Sequence, residues 1–250
     1  DEFMDMAAAS APSIGHCNTM GTASSMNSIA EALGMSLPGG AIIPAPYKER
    51  TDISFKTGKR IVEMVFENLT PLKIMTKEAF ENAVYVASAI GASSNCPPHL
   101  TAIARHMGID FNLDQWEKLG HRIPLLANCQ PAGEHLMEGF FKAGGIPAIM
   151  KELIKDKKLN IKALTVTGKT IEENLNMKID VNRDVIKSYE NPLSHNAGFI
   201  VMKSNFFSSA VMKTSVISSE FRDRYLSNKD SLNIFEVEAV VFEGPEDYHS

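Results

Sequence analysis

Three cysteines, one tryptophan and no long apolar run set the first limits on this 250-residue chain. The cysteines stand at positions 17, 96 and 129, an odd number at long spacing, so they form no disulfide framework. A reducing, cytoplasm-like compartment fits that usage. There is no Cys-x-x-Cys, no short ferredoxin-like spacing and no His-x-x-x-His pair, so no complete metal site can be read from the residues alone. Asp180, Asp184, Glu236 and Glu238 show no ligand pattern either. No apolar stretch approaches the length of a membrane span. The opening Asp1-Glu2-Phe3-Met4-Asp5 is acidic, lacks a signal-peptide pattern and lacks an initiator methionine, so it reads as a chain entered in the middle. Basic residues are not in excess: 25 Lys and Arg against 30 Asp and Glu give a net charge of −5. That balance, with 8% aromatics, argues against a nucleic-acid face, which needs clustered cations and stacking platforms.

What is present is ordinary for a soluble globular protein, with 44% hydrophobic and 22% charged residues. The length suits one large or two small domains. Up to about residue 185 the pattern is helical. Ile61, Val62, Met64, Val65 and Phe66 recur at helical spacing between Ile53 and Leu69, with Lys56, Lys59, Arg60 and Glu63 expected outward. Thr76 is placed to cap a helix running to Ile90, and Gly91 to end it. A polar loop follows from Gly91 through Cys96 and His99, then a helix closed by Gly108. Asn112 and Gln115 have capping-box spacing ahead of Trp116. Ile123–Ala127 reads as a buried strand, Glu134–Ala143 as a helix, and Pro147 as the first turn of another. After Asn191-Pro192, short β-branched runs at 199–202, 210–213 and 237–242 read as strands.

The most informative stretch is Gly15-His16-Cys17-Asn18-Thr19-Met20-Gly21-Thr22-Ala23-Ser24-Ser25. It sets one cysteine in a glycine-flanked turn directly before an amphipathic helix. Thr19, Thr22 or Ser24 can cap that helix, and Gly34 can end it. Orphan N–H groups and the positive helix end near Cys17 favour the thiolate, the form that binds metal. The competing reading is a small residue in a tight turn. His16 divides between a hydrogen bond to a bound group and capping of a turn. Thr167-Gly168-Lys169-Thr170 imitates a phosphate loop, but the glycine such a loop needs five residues earlier is Ala163, so a turn entering a helix is the better reading.

The cysteine turn resembles that of the dehydratase family containing dihydroxy-acid, 6-phosphogluconate and sugar-acid dehydratases. The His-Cys-Asn-Thr-Met-Gly-Thr-Ala-Ser form is most similar to the sugar-acid (aldonate) branch. Six further blocks resemble the family in the same order, at 91–95, 124–127, 143–148, 164–170, 191–194 and 241–248. The resemblance implies an α/β fold. Residues 1–188 would be the later part of a helix-rich α/β N-terminal domain, and residues 189–250 the first strands of a β-barrel-like C-terminal domain. It implies a hydro-lyase that turns a sugar acid into a 2-keto-3-deoxy acid, with dihydroxy-acid dehydratase or a non-catalytic scaffold remnant as alternatives. Cys17 would ligate a [2Fe–2S] cluster, a [4Fe–4S] cluster being the alternative, and His16 would lie beside it. Mg2+ would be held mostly by residues outside this chain. Cys96 and Cys129 are not assigned as ligands, and no catalytic residue is assigned within the chain, since the family's Cys-Asp-Lys and Asp-Gly-Arg-x-Ser blocks are absent. The expected partners are the small sugar acid and further copies of the enzyme, with no nucleic acid and no membrane. The resemblance further implies that this chain alone is inactive.

Overall fold

One helix, Lys77–Ala89, is buried over most of its circumference: nine of its thirteen residues are buried, and only Lys77 and Glu78 in its first turn are exposed. It is α4 in the chain order used here, preceded by α1 (Thr22–Ala32), α2 (Lys48–Phe66) and the short α3 (Pro71–Ile74). After it come α5 (Cys96–His106), α6 (Leu113–Gly120), α7 (Met137–Lys142), α8 (Gly145–Lys155) and the short α9 (Ile171–Asn174). The computed structural model describes residues 2–3, 18–205, 207–221, 240, 242, 244 and 246–247. The chain divides into two units, Asp1–Val216 and Ile217–Ser250. In the second, the described residues include one turn of helix, α10 (Ser219–Phe221).

A helix buried over most of its circumference must be wrapped by others. α1, α5, α6 and α8 pack around α4. Its alanines at 79, 83, 87 and 89 let those neighbours approach, while Phe80, Val84 and Val86 fill the space between. Contact with α6 is closest at Gly120, where an added Cβ would lie 2.5 Å from Ser88 Oγ. The capping box of α6 forms as its sequence predicts: Asn112 accepts from Asp114 N, and Gln115 reaches back to Asn112 N at 2.7 Å. Thr76 is the N-cap of α4, and Gly91, at φ +61, follows its end.

The run Ile123–Ala127 is buried as expected, yet it forms isolated bridges instead of a ladder. On one side Leu126 N donates to the terminal carbonyl of α4 (Ala89 O, 2.8 Å). On the other, Leu125 N meets Ser194 O at 2.8 Å and Lys187 N meets Leu126 O at 2.8 Å. Three different segments share its polar edges, so no partner runs alongside for long. β1 (Phe199–Met202) and β2 (Ala210–Lys213) pair antiparallel, with Phe199 opposite Lys213. Phe199 meets Trp116 edge-on, ring centroids 5.2 Å apart, which docks β1 on α6. The described fold is therefore helix-rich with a small antiparallel sheet, in keeping with a mixed α/β class. The strand expected over 237–242 lies outside the described residues, apart from positions 240 and 242.

α2 corrects the sequence reading. The helix is there, but only Met64 of its nineteen residues is buried. Val65 is 72% and Phe66 86% exposed, while Arg60, expected outward, turns in and donates from Nε to Val166 O at 2.6 Å. Residues 61, 62, 64, 65 and 66 spread around most of the wheel, so periodicity alone could not choose the inward side. Two smaller corrections concern ends. Cys96 is the first residue of α5, not part of the loop before it, and α7 is shorter than the expected 134–143.

The connector after α1 is held by a buried carboxylate. Gly34 takes φ +80 just past the helix, as an αL cap requires, and the chain turns back over Glu31. Glu31 accepts from Gly39 N at 2.7 Å and Ala41 N at 3.0 Å. Burial pushes its carboxyl up to about 7, against the downward pull of those two N–H groups. A carboxyl whose folded pKa exceeds its unfolded one favours folding at low pH, and that contribution is lost as pH rises through about 7. From pH 4 to 8 the loss should be of the order of 3 kcal/mol. Urea midpoints across that range should therefore fall, and Glu31→Gln should flatten the slope. An unchanged slope in the variant would assign the pH dependence elsewhere.

Candidate functional site

His16 and Cys17 lie outside the described residues. What the structure gives is the seat into which they lead. Asn18 is bound to the start of α7: its carbonyl accepts from Met137 N at 3.0 Å and its Oδ1 from Glu138 N at 3.3 Å. Met20 N donates to Gln130 O at 2.7 Å. Segment 18–20 is thus pinned to the 128–138 loop on one side and runs into α1 on the other.

The start of α1 also differs from the sequence reading. Its N-cap is Gly21, with no side-chain cap, so Thr19, Thr22 and Ser24 do not serve that purpose. Ser24 instead donates to Thr19 O (2.9 Å) and Gly21 O (3.2 Å), tightening the turn. Thr22, in the first turn, shares a 2.9 Å hydrogen bond with Ser93 and accepts one from Asn95 Nδ2 at 2.8 Å. Ser25 accepts from Ser93 N at 2.9 Å. The loop 91–95 and the first turn of α1 are therefore stitched together by short polar side chains, which is why that turn carries so many hydroxyls. Leaving the first turn without a side-chain cap keeps its leading N–H groups free to favour a negative charge at that helix end.

The other two cysteines flank this seat. Cys96 opens α5 and is hydrogen-bonded to the Ser25 side chain, and Cys129 directly precedes Gln130. Both are buried free thiols, and burial pushes each up to about 12. They are thiols at neutral pH in this environment. Cys129 packs and lines a loop, bridging to His135. Among the described residues no group of three or more His, Cys, Asp or Glu side chains could hold a metal ion. His99 is exposed in the first turns of α5. The described donors do suit an electron-rich group: Asn18 Nδ2 is buried with no hydrogen-bond partner. Lys213, half-buried on β2, has its pKa lowered by burial and raised only by the nearby Cys96. Among the described residues it has no ion-pair partner. Sequence reasoning missed Asn18, Ser25 and Lys213, because their roles depend on segments distant in the chain. The 167–170 run is, as expected, a turn into a helix: Gly168 has φ +78, and Thr170 and Glu173 form the capping box of α9.

A family model described as dihydroxy-acid/6-phosphogluconate dehydratase N-terminal matches residues 1–174. The chain belongs to this dehydratase family. It is 52% identical over 249 residues to a D-xylonate dehydratase of Caulobacter vibrioides, covering 100% of this chain and 42% of that protein. It is 43% identical over 248 residues to an L-arabinonate dehydratase of Rhizobium leguminosarum bv. trifolii, covering 99% of this chain and 41% of that protein. A dihydroxy-acid dehydratase of Acetivibrio thermocellus is 40% identical over 233 residues, with 93% and 41% covered. The chain thus spans about two fifths of the length of the relatives it matches. These relatives are named dehydratases, which places the chain in a family of hydro-lyases.

The seat sets up a contrast in thiol chemistry. At pH 8, iodoacetamide should modify Cys96 and Cys129 in the folded chain only as fast as the structure opens, because the thiolate is the nucleophile and burial suppresses it. Cys17 should account for nearly all early labelling by mass mapping. Rapid labelling at 96 or 129 would contradict the buried-thiol assignment.

Proposed function

We propose that this chain is the cysteine-bearing portion of a sugar-acid dehydratase, which removes water from an aldonate to give a 2-keto-3-deoxy acid. The observation that carries the proposal is the identity with the xylonate and arabinonate enzymes along the whole chain, higher for both than for the dihydroxy-acid relative. The seat before α1 supports it chemically. Cys17 would be one ligand of an iron–sulfur cluster, with [2Fe–2S] preferred, and His16 would lie beside it. The remaining cluster ligands, the magnesium ligands and the base would come from outside these 250 residues, since the family's Cys-Asp-Lys and Asp-Gly-Arg-x-Ser blocks are not among them.

When bound, such a centre supplies a Lewis acid for the departing hydroxyl, and magnesium steadies the acid's carboxylate end. The described residues of this chain do three things. The pinned segment 18–20 fixes where Cys17 begins. The uncapped first turn of α1 and the Asn18 amide present donors towards negative charge. Lys213 adds a cation beside the same loop, suited to an anionic sugar acid. Residues 189–250 would begin a β-barrel-like C-terminal domain completed downstream, and residues 1–188 the later part of the N-terminal domain. Among the described residues no helix is long and apolar enough to cross a membrane. A cytoplasmic setting agrees with the free thiols at 96 and 129.

A coupled assay for 2-keto-3-deoxy acid formation on a panel of aldonates and on dihydroxy acids tests the substrate class. The longer polypeptide containing this chain should turn over aldonates, and the 250-residue chain alone should give no more than a heat-killed control. Preference for branched dihydroxy acids would overturn the sugar-acid reading.

The ligand assignment is separable from activity. In the longer polypeptide, Cys17→Ser should abolish the visible charge-transfer absorbance of the cluster, and Cys129→Ser should keep it. A retained cluster in the Cys17 variant would remove Cys17 from the ligand set.

A further inference from the structure

The outer side of α2 carries apolar residues that no described residue covers. At 100° per residue, Arg50, Ile53, Arg60 and Met64 fall on one side of the helix. That side meets the body: Arg50 donates to Gly40 O and Ile43 O, Arg60 to Val166 O, and Met64 is buried. Phe55, Gly58, Val62 and Phe66 lie roughly 180° away. Phe55 is 76% and Val62 56% exposed. Leu72, just beyond the helix, is exposed too. With Ile61 and Val65 these side chains offer of the order of 800 Å² of apolar surface, one partner's share of a standard interface.

Gly58 is the second observation. Glycine inside a helix costs about 1 kcal/mol relative to alanine. Here a Cβ would meet nothing within 4 Å, so the chain's own packing does not require it. A glycine in the middle of an apolar stripe is what a close-approaching outside group requires.

The third observation is charge order. One edge of the stripe carries Lys48, Asp52, Lys59 and Glu63, all exposed. Their signs alternate and their spacing is palindromic, at intervals of four, seven and four. Antiparallel helices bring the same edge of each together. With a two-fold axis between positions 55 and 56, Lys48 faces the other copy's Glu63 and Asp52 faces its Lys59. Lys48, Asp52 and Lys59 have no ion-pair partner among the described residues, and Glu63 is bridged to Arg60. In the same register Phe55 lies over the other copy's Gly58, and Phe66 reaches its exposed Ala45-Pro46. The apolar seam, the glycine hollow and the charged edge are satisfied by one arrangement.

We infer that α2 is a self-association surface, on which a second copy of this protein docks antiparallel about a two-fold axis near Phe55. The seam supplies the affinity, and the edge charges fix the register. This inference stands apart from the proposed activity and would hold for an inactive chain.

The test uses the longer polypeptide containing this chain, with mass measured by light scattering after size exclusion. Gly58→Leu fills the hollow with a better helix former and meets nothing in its own chain, so the melting temperature should hold or rise while the mass falls by half. Phe55→Cys should form a covalent dimer on mild oxidation. Lys59→Asp should weaken association at low salt, and adding Asp52→Lys should restore it. Unchanged mass in Gly58→Leu, or no cross-link at position 55, would overturn the inference. So would a Gly58→Leu variant that melts early, because the stripe would then be covered by the same polypeptide.

Discussion

The core of the first unit is arranged around the deep burial of α4. A helix buried over most of its circumference cannot be stabilised by one neighbour, and it leaves little room for water to satisfy the elements that touch it. α1, α5, α6 and α8 are fixed by that demand, and the extended run 123–127 is tied to the last turn of α4 through Leu126 N and Ala127 N. The loop 91–95 leaves α4 directly, so its position is inherited from the core. Ser93 and Asn95 then locate the first turn of α1. The candidate site is in this sense an outgrowth of the core, built on the end of a deeply buried helix.

That origin explains the state of the two described cysteines. Cys96 and Cys129 lie close to the core and share its low polarity, which holds them as thiols. Cys17 follows His16 in the sequence, and the described turn after it has its carbonyls occupied by Ser24 and its first helical amides left without a side-chain cap. Cys96 and Cys129 thus owe their protonated state to where the backbone places them. The glutamate at 31 is the opposite case, a charged residue type held in the interior because two backbone amides need an acceptor there.

Much of this was legible before any coordinates. The capping box at Asn112, the N-cap Thr76, the end at Gly34 and the turn at 167–170 are local signals, decided by residues three to five apart. The failures share a cause as well. The inward side of α2 could not be read because apolar residues occupy two opposite sides, and only Val166 and the 37–43 turn decide which is inner. The capping hydroxyls of α1 were misassigned because Thr22 bonds to Ser93, seventy-one residues away. Family membership was legible from ordered blocks, while the cysteine's own geometry lies outside the described residues.

The edge-on contact between Trp116 and Phe199 has an optical consequence. Trp116 is the only tryptophan in the chain, fully buried at the junction between a helix of the core and the first strand. Its indole N–H has no hydrogen-bond partner, so the ring sits in an apolar surround. Its emission is therefore a single-site gauge of whether strand and helix are in register. It will be short in wavelength while β1 is docked and will move to the red when that strand lifts away, even if the helices remain intact.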